Sequence, residues 1–159
     1  MLSLLVAAIS VPPPPPGDDR SAILATVTEV LDALMVGDAE TARAHFAPEA
    51  IFPIVDARGA ETRVVTLDLD AVLGFEREGL HQEPLGIPTV FQDGALAQVW
   101  VPYSFWVDGV KQHCGIDNAT LVEQDGEWKI TQMAFTMNSL DTCDALGAPT
   151  VANPDKVTP

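Results

Sequence analysis

The chain has 159 residues, 47% of them apolar, so it is long enough for one domain with a single core and too short for two domains of ordinary size. Its 23 acidic and 8 basic residues give a formal net charge of −15, which would repel a phosphate backbone, and no cluster of Lys and Arg offsets that repulsion. Nucleic acid is therefore excluded as a partner, and the scattered acidic residues indicate a well-solvated surface.

The N-terminal stretch MLSLLVAAIS is apolar but much shorter than the roughly 20 residues of a membrane-spanning helix, so no stable membrane span is expected. It resembles the apolar part of a secretory signal peptide, and Ala8 and Ser10 suit a cleavage region. The alternative is a disordered apolar tail. Pro12 to Pro16 and Gly17 follow as a stiff linker. Residues 1–17 are therefore a predicted signal-peptide-like segment and linker, which favours a periplasmic or secreted protein over a cytoplasmic one.

Two helices are predicted next. Asp18 or Asp19 can cap the first, which ends at Gly37. Its apolar residues recur at the spacing of one helical face: Ile23, Leu24, Val27, Val30, Leu31, Leu34 and Met35. Asp38 can cap a second, shorter helix that Pro48 terminates. The two helices should form an antiparallel or angled pair.

Short elements follow the helical pair. Residues 51–55 and 63–67 resemble two strands of a small hairpin around a turn-rich segment. Asp68 or Asp70 then caps a third helix, predicted from residue 71 to about residue 78. After the irregular segment EPLGIP, a further strand is predicted over residues 89–91.

Residues 95–137 predict three consecutive antiparallel strands. Asp108-Gly109 and Asp125-Gly126 interrupt a region rich in β-branched and aromatic residues, and Asp-Gly between such runs is a strong hairpin signal. If each turn has two residues, Tyr103 faces Cys114, Trp100 faces Asp117, and Asp117 faces Ala134.

Alternation then divides the three strands into two faces. One face carries Trp100, Ser104, Trp106, His113, Asp117, Ala119, Leu121, Trp128, Ile130 and Ala134. The other carries Val99, Val101, Tyr103, Phe105, Cys114, Ile116, Val122, Met133, Phe135 and Met137. We expect the helices to cover the first face. An apolar patch on the second, with Tyr103, Phe105, Ile116 and Phe135, predicts a homodimer interface.

Helices followed by a long antiparallel meander are typical of an α+β fold. The elements that carry a family resemblance are the first helix, the segment HFAPEAIF, the short strand pair, the third helix, and the segments DGALAQVWVPYSFWVDGVKQHCGID and DGEWKI. With these elements the sequence resembles the nuclear transport factor 2-like superfamily, specifically its SnoaL-like subset. The resemblance implies a cone in which a strongly curved antiparallel sheet wraps around a long N-terminal helix, with two shorter helices and an enclosed pocket. It covers residues 18–143, which leaves residues 144–159 as a loose C-terminal tail.

The superfamily includes isomerases, dehydratases, epoxide hydrolases, cyclases and binding proteins, so the fold does not select a function. The isomerase pattern is not matched, because the first helix contains no Tyr. The HCGID segment implies a pocket wall that includes His113 and Asp117.

Asp117 and His113 are the predicted catalytic residues. A carboxylate held against Trp100 in a cavity would be desolvated, which raises its pKa toward the range useful for a general base. The structural alternative is a buried polar group satisfied by neighbours or water. His113 lies about 13 Å from Asp117 along the strand, at ~3.3 Å per residue, so the two cannot form a hydrogen-bonded dyad.

Other chemistry has little support in the sequence. Cys114 and Cys143 are the only cysteines, which is too few for a zinc site; export would permit a bridge between them, and both states stay open. His45 and His81 lack companion ligands, so surface or capping roles are expected. There is no phosphate loop or dinucleotide fingerprint, and no metal or cofactor is predicted.

The primary hypothesis is a protein that binds a small hydrophobic or amphipathic molecule in a hydrophobic pocket. Its predicted ligand-binding residues are Trp100, Ser104, Asp117 and Trp128. The alternative is a cofactor-independent isomerase, dehydratase or cyclase in which Asp117 is the general base and His113 or Ser104 the donor. A third hypothesis is a subunit-association module whose cavity is filled by tryptophans.

Overall fold

The computed structural model describes residues 19–152. The predicted export segment and the last seven residues of the predicted tail lie outside this range. The helices are α1 (Arg20–Val36), α2 (Ala39–Ala44), α3 (Leu69–Leu73) and α4 (Cys143–Leu146), with a 3-10 turn at Leu140–Thr142. The strands are β1 (Phe46–Asp56), β2 (Arg63–Asp68), β3 (His81–Gln82), β4 (Thr89–Asp93), β5 (Leu96–Val107), β6 (Val110–Gln124) and β7 (Glu127–Met137).

The seven strands form one curved, unclosed sheet in the order β2-β1-β7-β6-β5-β3, and β4 pairs with β5. The predicted α+β architecture is confirmed. The pair β1 and β7 is parallel, whereas the prediction was an antiparallel sheet throughout. A parallel neighbour needs a long connection, and here residues 57–126 separate the two strands.

The N-terminal helices follow the sequence prediction. Apolar residues of α1 are buried against the inner face of the sheet, in one core cluster with residues of β1, β5, β6 and β7. Gly37 ends α1 in the left-handed region at φ 74°, a conformation that glycine adopts without steric penalty. Asp38 caps α2 by accepting a hydrogen bond from the Thr41 amide at 3.0 Å.

Two element boundaries differ from the prediction. Helix α3 is capped by Asp68 but ends at Gly74, so the segment after Gly74 is irregular rather than helical. Strand β1 begins at Phe46, directly after α2, and absorbs Pro48 at an irregularity in its pairing with β7. The irregular segment after α3 lies at one end of an internal cavity.

Both predicted Asp-Gly turns form. Asp108 and Asp125 have φ values of 51° and 52°, and the following glycines are also left-handed, which is the backbone of two-residue hairpin turns. Each hairpin, however, contains a bulge. One extra residue, Gln112, lies between the pairs Trp106 with Lys111 and Phe105 with His113. Thr131 is the extra residue of the second hairpin.

The bulges shift the strand pairing by one residue relative to the predicted register. Tyr103 pairs with Gly115 rather than Cys114, and Trp100 pairs with Asn118 rather than Asp117. Asp117 pairs with Val101 and Phe135. Because strand side chains alternate between faces, a one-residue shift moves the whole of β5 to the opposite face.

The inner face of the sheet therefore differs from the prediction. Val99, Val101, Tyr103 and Phe105 share the face of Asp117, and Trp100 lies on the outer face with 48% of its surface exposed. Tyr103, Phe105 and Phe135, expected at a dimer interface, line the internal cavity. The predicted face is thus not available for association, while a homodimer remains a prediction.

The C-terminal segment closes the outer side of β5 and β6. Cys114 of β6 forms a disulfide with Cys143 at the start of α4, with their Cα atoms 5.6 Å apart. Both cysteines and Ala148 are buried in one small cluster. Part of the segment that was expected to be loose therefore packs on the domain.

Within residues 19–152, each helix is too short or too polar to cross a lipid bilayer.

Candidate functional site

A cavity of about 370 Å³ lies between α1, the inner face of the sheet and the segment around α3. Most of its wall is apolar, and its polar side chains are few. The lining residues are Leu31, Leu34, Met35, Phe52, Ile54, Leu67, Val72, Phe75, Arg77, His81, Glu83, Tyr103, Phe105, His113, Asp117, Met133, Phe135 and Met137. An apolar cavity of this size with a few convergent polar groups is typical of a small-molecule site.

Asp117 and Glu83 form a carboxyl pair in this cavity. Asp117 is 3% exposed on the middle of β6, and Glu83, which also lines the cavity, directly follows β3. Burial raises the pKa of Asp117 well above its ordinary value, and the neighbouring Glu83 charge and hydrogen bond raise it further. Asp117 is therefore protonated and donates a hydrogen bond to the Glu83 carboxylate. In agreement, Asp117 Oδ2 is buried and receives no hydrogen bond from the described residues.

Glu83 is the member of the pair that titrates near neutrality. Burial raises its pKa to about 7, while the Arg77 charge and the hydrogen bond from Asp117 act in the opposite direction. Two carboxyl groups in contact cannot both ionise cheaply in a low-dielectric site, so the pair keeps one proton above the pH at which Glu83 ionises. The cavity thus contains a carboxyl group whose pKa is raised to near neutrality.

Arg77 supplies the positive charge near this pair. It is half-buried in the irregular segment after α3, and burial lowers its pKa while Glu83 opposes that shift. Its Nη1 donates to the Phe75 carbonyl at 3.2 Å, and its guanidinium lies 5.9 Å from the centre of the Phe75 ring. These contacts hold Arg77 at one end of the cavity, where its charge partly offsets that of Glu83.

His113 lies further along β6, between two aromatic rings. It stacks on Phe105 with ring centres 4.9 Å apart, and the Tyr103 ring meets it edge-on at 5.8 Å. His113 Nδ1 is 3.3 Å from Tyr103 Oη, which itself donates to the Thr136 carbonyl at 2.7 Å. Burial lowers the pKa of His113 to about 4, and the nearby Arg58 charge acts in the same direction. The ring is therefore neutral at physiological pH.

His81 also lines the cavity, whereas a surface or capping role was expected. Its Nε2 donates to the Glu78 carbonyl at 2.9 Å, and its ring meets Phe105 edge-on at 5.4 Å. The two-residue strand β3 brings it there by pairing with the end of β5. His81 and His113 thus both contact the Phe105 ring.

A larger groove of about 730 Å³ lies on the other side of the Glu83 segment, between α1 and residues 80–88. It shares Glu83 and His81 with the inner cavity but does not contain Asp117 or His113. The inner cavity holds both members of the carboxyl pair, so it is the better candidate site.

No protein-family model and no curated protein matches the sequence. Solved structures match well. A nuclear transport factor 2-like protein from Novosphingobium aromaticivorans has a TM-score of 0.61 and 17% identity, over 80% of this chain and 88% of that chain. One from Cytophaga hutchinsonii has a TM-score of 0.59 and 15% identity, over 76% and 98%. A Mycobacterium tuberculosis protein of unknown function has a TM-score of 0.63 and 14% identity, over 79% and 76%.

The chain has the nuclear transport factor 2-like fold. The resemblance inferred from the sequence is confirmed at this level, and the identities are low enough that the likeness shows the fold alone.

The nuclear transport factor 2-like cone brings only part of the predicted site together. Asp117 and His113 both line the cavity, as the sequence suggested. Trp100 does not, because the register shift places it on the outer face. Ser104 is fully buried on the outer face, where its Oγ accepts a hydrogen bond from Trp106 Nε1 at 2.8 Å. Trp128 belongs to the core cluster and does not line the cavity.

Three polar residues of the cavity were missed from the sequence: Arg77, His81 and Glu83. All lie in the irregular stretch between α3 and β4, which has no periodic pattern. One weak signal was present, since a residue before proline is held extended, and Glu83 precedes Pro84. That signal indicates backbone shape and does not tell which wall the side chain reaches.

Among residues 19–152, no group of three or more His, Cys, Asp or Glu side chains is arranged to hold a metal ion.

Proposed function

We propose that this protein binds a small, mostly apolar molecule in the inner cavity, with one polar group of that molecule at the Glu83–Asp117 pair. The observation that carries the proposal is the placement of a carboxyl pair inside a mostly apolar cavity of about 370 Å³. A carboxyl pair with one buried and one half-buried member destabilises a protein unless it is compensated, so its presence favours a role in binding or chemistry.

Binding is tested with N-phenyl-naphthylamine, an uncharged probe that fluoresces in apolar surroundings and is not repelled by a net charge of −15. The wild type should raise its fluorescence. Phe135→Trp should abolish the increase by filling the cavity, since Phe135 is part of the wall. Phe91→Trp is the matched control, because Phe91 is 55% exposed and outside the cavity. Equal binding by all three proteins, or by none, would contradict the proposal.

Native mass spectrometry of the purified protein complements the probe. A co-purified molecule present in the wild type and in Phe91→Trp, but missing from Phe135→Trp, would identify the natural ligand.

A second candidate function is proton-transfer catalysis without a cofactor, of the isomerase, dehydratase or cyclase type. The observation that favours it is the pKa of about 7 at Glu83, beside a protonated Asp117. An efficient general base has a pKa near the working pH, and a neighbouring neutral acid can return the proton. In this scheme Glu83 is the base, a role that the sequence assigned to Asp117.

Catalysis is tested by deuterium exchange into the methyl group of acetophenone in heavy water. Glu83 would remove a carbon-bound proton and solvent deuterons would replace it, so no redox partner is needed. The exchange should rise with pH around an apparent pKa of about 7 and disappear in Glu83→Gln. Exchange at the same rate in Glu83→Gln, or none above the buffer background, would refute catalysis while leaving the binding proposal intact.

A further inference from the structure

The hydrogen bonds around Tyr103 determine which nitrogen of His113 carries its proton. A tyrosine hydroxyl has one hydrogen to donate and can also accept. The distance from Tyr103 Oη to the Thr136 carbonyl is 2.7 Å, and the distance to His113 Nδ1 is 3.3 Å. A carbonyl can only accept, so the hydroxyl hydrogen is committed to Thr136. His113 Nδ1 must then be the donor in its contact with Tyr103.

A neutral imidazole with its proton on Nδ1 has a lone pair on Nε2. His113 is neutral because burial lowers its pKa to about 4; Arg58 lowers it further and Asp56 opposes this. A half-turn of the ring about its Cβ–Cγ bond would keep the stacking on Phe105, at 4.9 Å with an interplanar angle of 16°, but would place a carbon atom instead of Nδ1 beside Tyr103 Oη. The hydrogen bond to Tyr103 therefore favours the observed orientation of the ring. His113 therefore presents an acceptor, Nε2, on the side away from Tyr103.

The arrangement around Tyr103 is held by the backbone as well. Gly115, the cross-strand partner of Tyr103, lies so close to β7 that a Cβ atom there would collide with the Thr136 carbonyl. The absence of a side chain at Gly115 lets this carbonyl approach, and Thr136 Oγ1 accepts from the Ile116 amide at 2.9 Å. The carbonyl that receives the Tyr103 hydrogen is thereby fixed in position.

We propose that Tyr103 is a positioning residue that fixes His113 in the Nδ1-protonated form, so that this end of the cavity selects a ligand with a hydroxyl group as hydrogen-bond donor. The claim that the cavity selects a hydroxyl-bearing ligand rests on the proposed function. The claim that Tyr103 fixes the tautomer of His113 does not. Since Asp117 lies about 13 Å away along β6, at ~3.3 Å per residue, the hydroxyl is distinct from the polar group that meets the carboxyl pair.

The tautomer is tested by nitrogen NMR of protein labelled at histidine, because protonated and bare ring nitrogens resonate at well-separated frequencies. The chain has three histidines, and the variants His45→Gln and His81→Gln assign the signals. In the wild type at neutral pH, His113 should show a protonated Nδ1 and a bare Nε2. Tyr103→Phe should move the ring toward the opposite tautomer. A protonated Nε2 in the wild type overturns the proposal, whether or not Tyr103→Phe folds.

Ligand selection is tested by calorimetry with para-hydroxyacetophenone and para-methoxyacetophenone, which differ only in the donor hydrogen and its methyl cap. The wild type should bind the hydroxyl compound about tenfold more tightly, the value of one hydrogen bond of moderate strength. His113→Phe should remove the preference and retain binding of the methoxy compound. Equal affinity of the wild type for both compounds overturns the claim that the cavity selects a hydroxyl-bearing ligand. Failure of both to bind, with N-phenyl-naphthylamine also excluded, overturns the proposed function instead and leaves the tautomer result standing.

Discussion

The two faces of β6 are built from neighbouring residues but are used differently. On the outer face, Cys114 is bonded to Cys143, and the nearby Ser104 accepts a hydrogen bond from Trp106. Both cysteines and Ser104 are buried, and each of them is already bonded. On the inner face, Asp117 and His113 border a cavity of about 370 Å³.

The difference separates side chains that stabilise the fold from side chains that are available for ligand binding or catalysis. The outer face is closed by covalent and hydrogen bonds, so it should contribute mainly to stability. The inner face contains a carboxyl with a strongly raised pKa and an uncharged imidazole, both of which destabilise the apo protein relative to well-packed apolar residues. If this division is correct, substitutions on the two faces should separate stability from ligand binding.

The largest effect is expected at the outer face. Replacing both cysteines, Cys114→Ala with Cys143→Ala, should lower the free energy of unfolding by about 3–4 kcal/mol, the loop-entropy value for a crosslink of this span. The two cysteines are 29 residues apart. Urea unfolding measures the loss, and N-phenyl-naphthylamine binding should be unchanged. A loss of probe binding would show that the disulfide on the outer face also affects the cavity, and would contradict the division of roles between the two faces.

The next effect is the pH dependence of stability at the inner face. The pKa of Glu83 rises from 4.5 to about 7 on folding, so the folded state holds this proton more tightly than the unfolded state. Its contribution is fully present below pH 4.5 and is lost as pH rises toward about 7. The loss is at most about 3.5 kcal/mol, at about 1.4 kcal/mol per pKa unit.

Urea unfolding of the wild type and Glu83→Gln across this pH range measures the Glu83 contribution. Glu83→Gln should reduce the decline to the part that comes from Asp117, whose pKa burial also raises, whereas Glu49→Gln, at an exposed position, should retain the full decline. A decline of the same size in both variants would mean that Glu83 is not the titrating group.

A smaller effect is expected from the partner carboxyl. Asp117→Leu removes the donor to Glu83 and should lower stability by about 1–3 kcal/mol, because a buried acceptor loses its hydrogen bond. It should also raise the pKa of Glu83 further. Asp117→Asn keeps a donor of the same shape, so its stability should stay near wild type while ligand binding or exchange activity changes. Equal destabilisation by both variants would favour a purely structural role for Asp117.

The sequence predicted the components of the fold better than their register. The face of α1, the caps at Gly37 and Asp38 and both Asp-Gly turns follow from local rules, and each is present. The bulges at Gln112 and Thr131 carry no local signal, because neither position has a glycine or proline to mark it. The register depends on these two residues, so the cross-strand partners were displaced.

Only the residues of the candidate site that lie on strand β6 were predicted. Asp117 and His113 lie on β6, where alternation decides their face, and both are in the cavity. Glu83 and Arg77 reach the cavity from an irregular segment, and their position depends on tertiary packing against α1 and β5. No periodicity in the sequence encodes that packing, so the acid pair could not be predicted before the fold was known.

The smallest effect is expected at Trp100, and it separates the observed register from the predicted one. Trp100 is 48% exposed opposite Asn118, so Trp100→Ala should change stability by only about 0.5 kcal/mol and leave probe binding unchanged. Its neighbour Val101 is 1% exposed and pairs with Asp117 on the inner face, so Val101→Ala should lower stability by about 2 kcal/mol despite removing far fewer atoms. Urea unfolding of the two variants side by side gives the order. A larger loss from Trp100→Ala would favour the register without bulges, in which the indole forms the wall beside Asp117 and Tyr103 lies on the opposite face from His113.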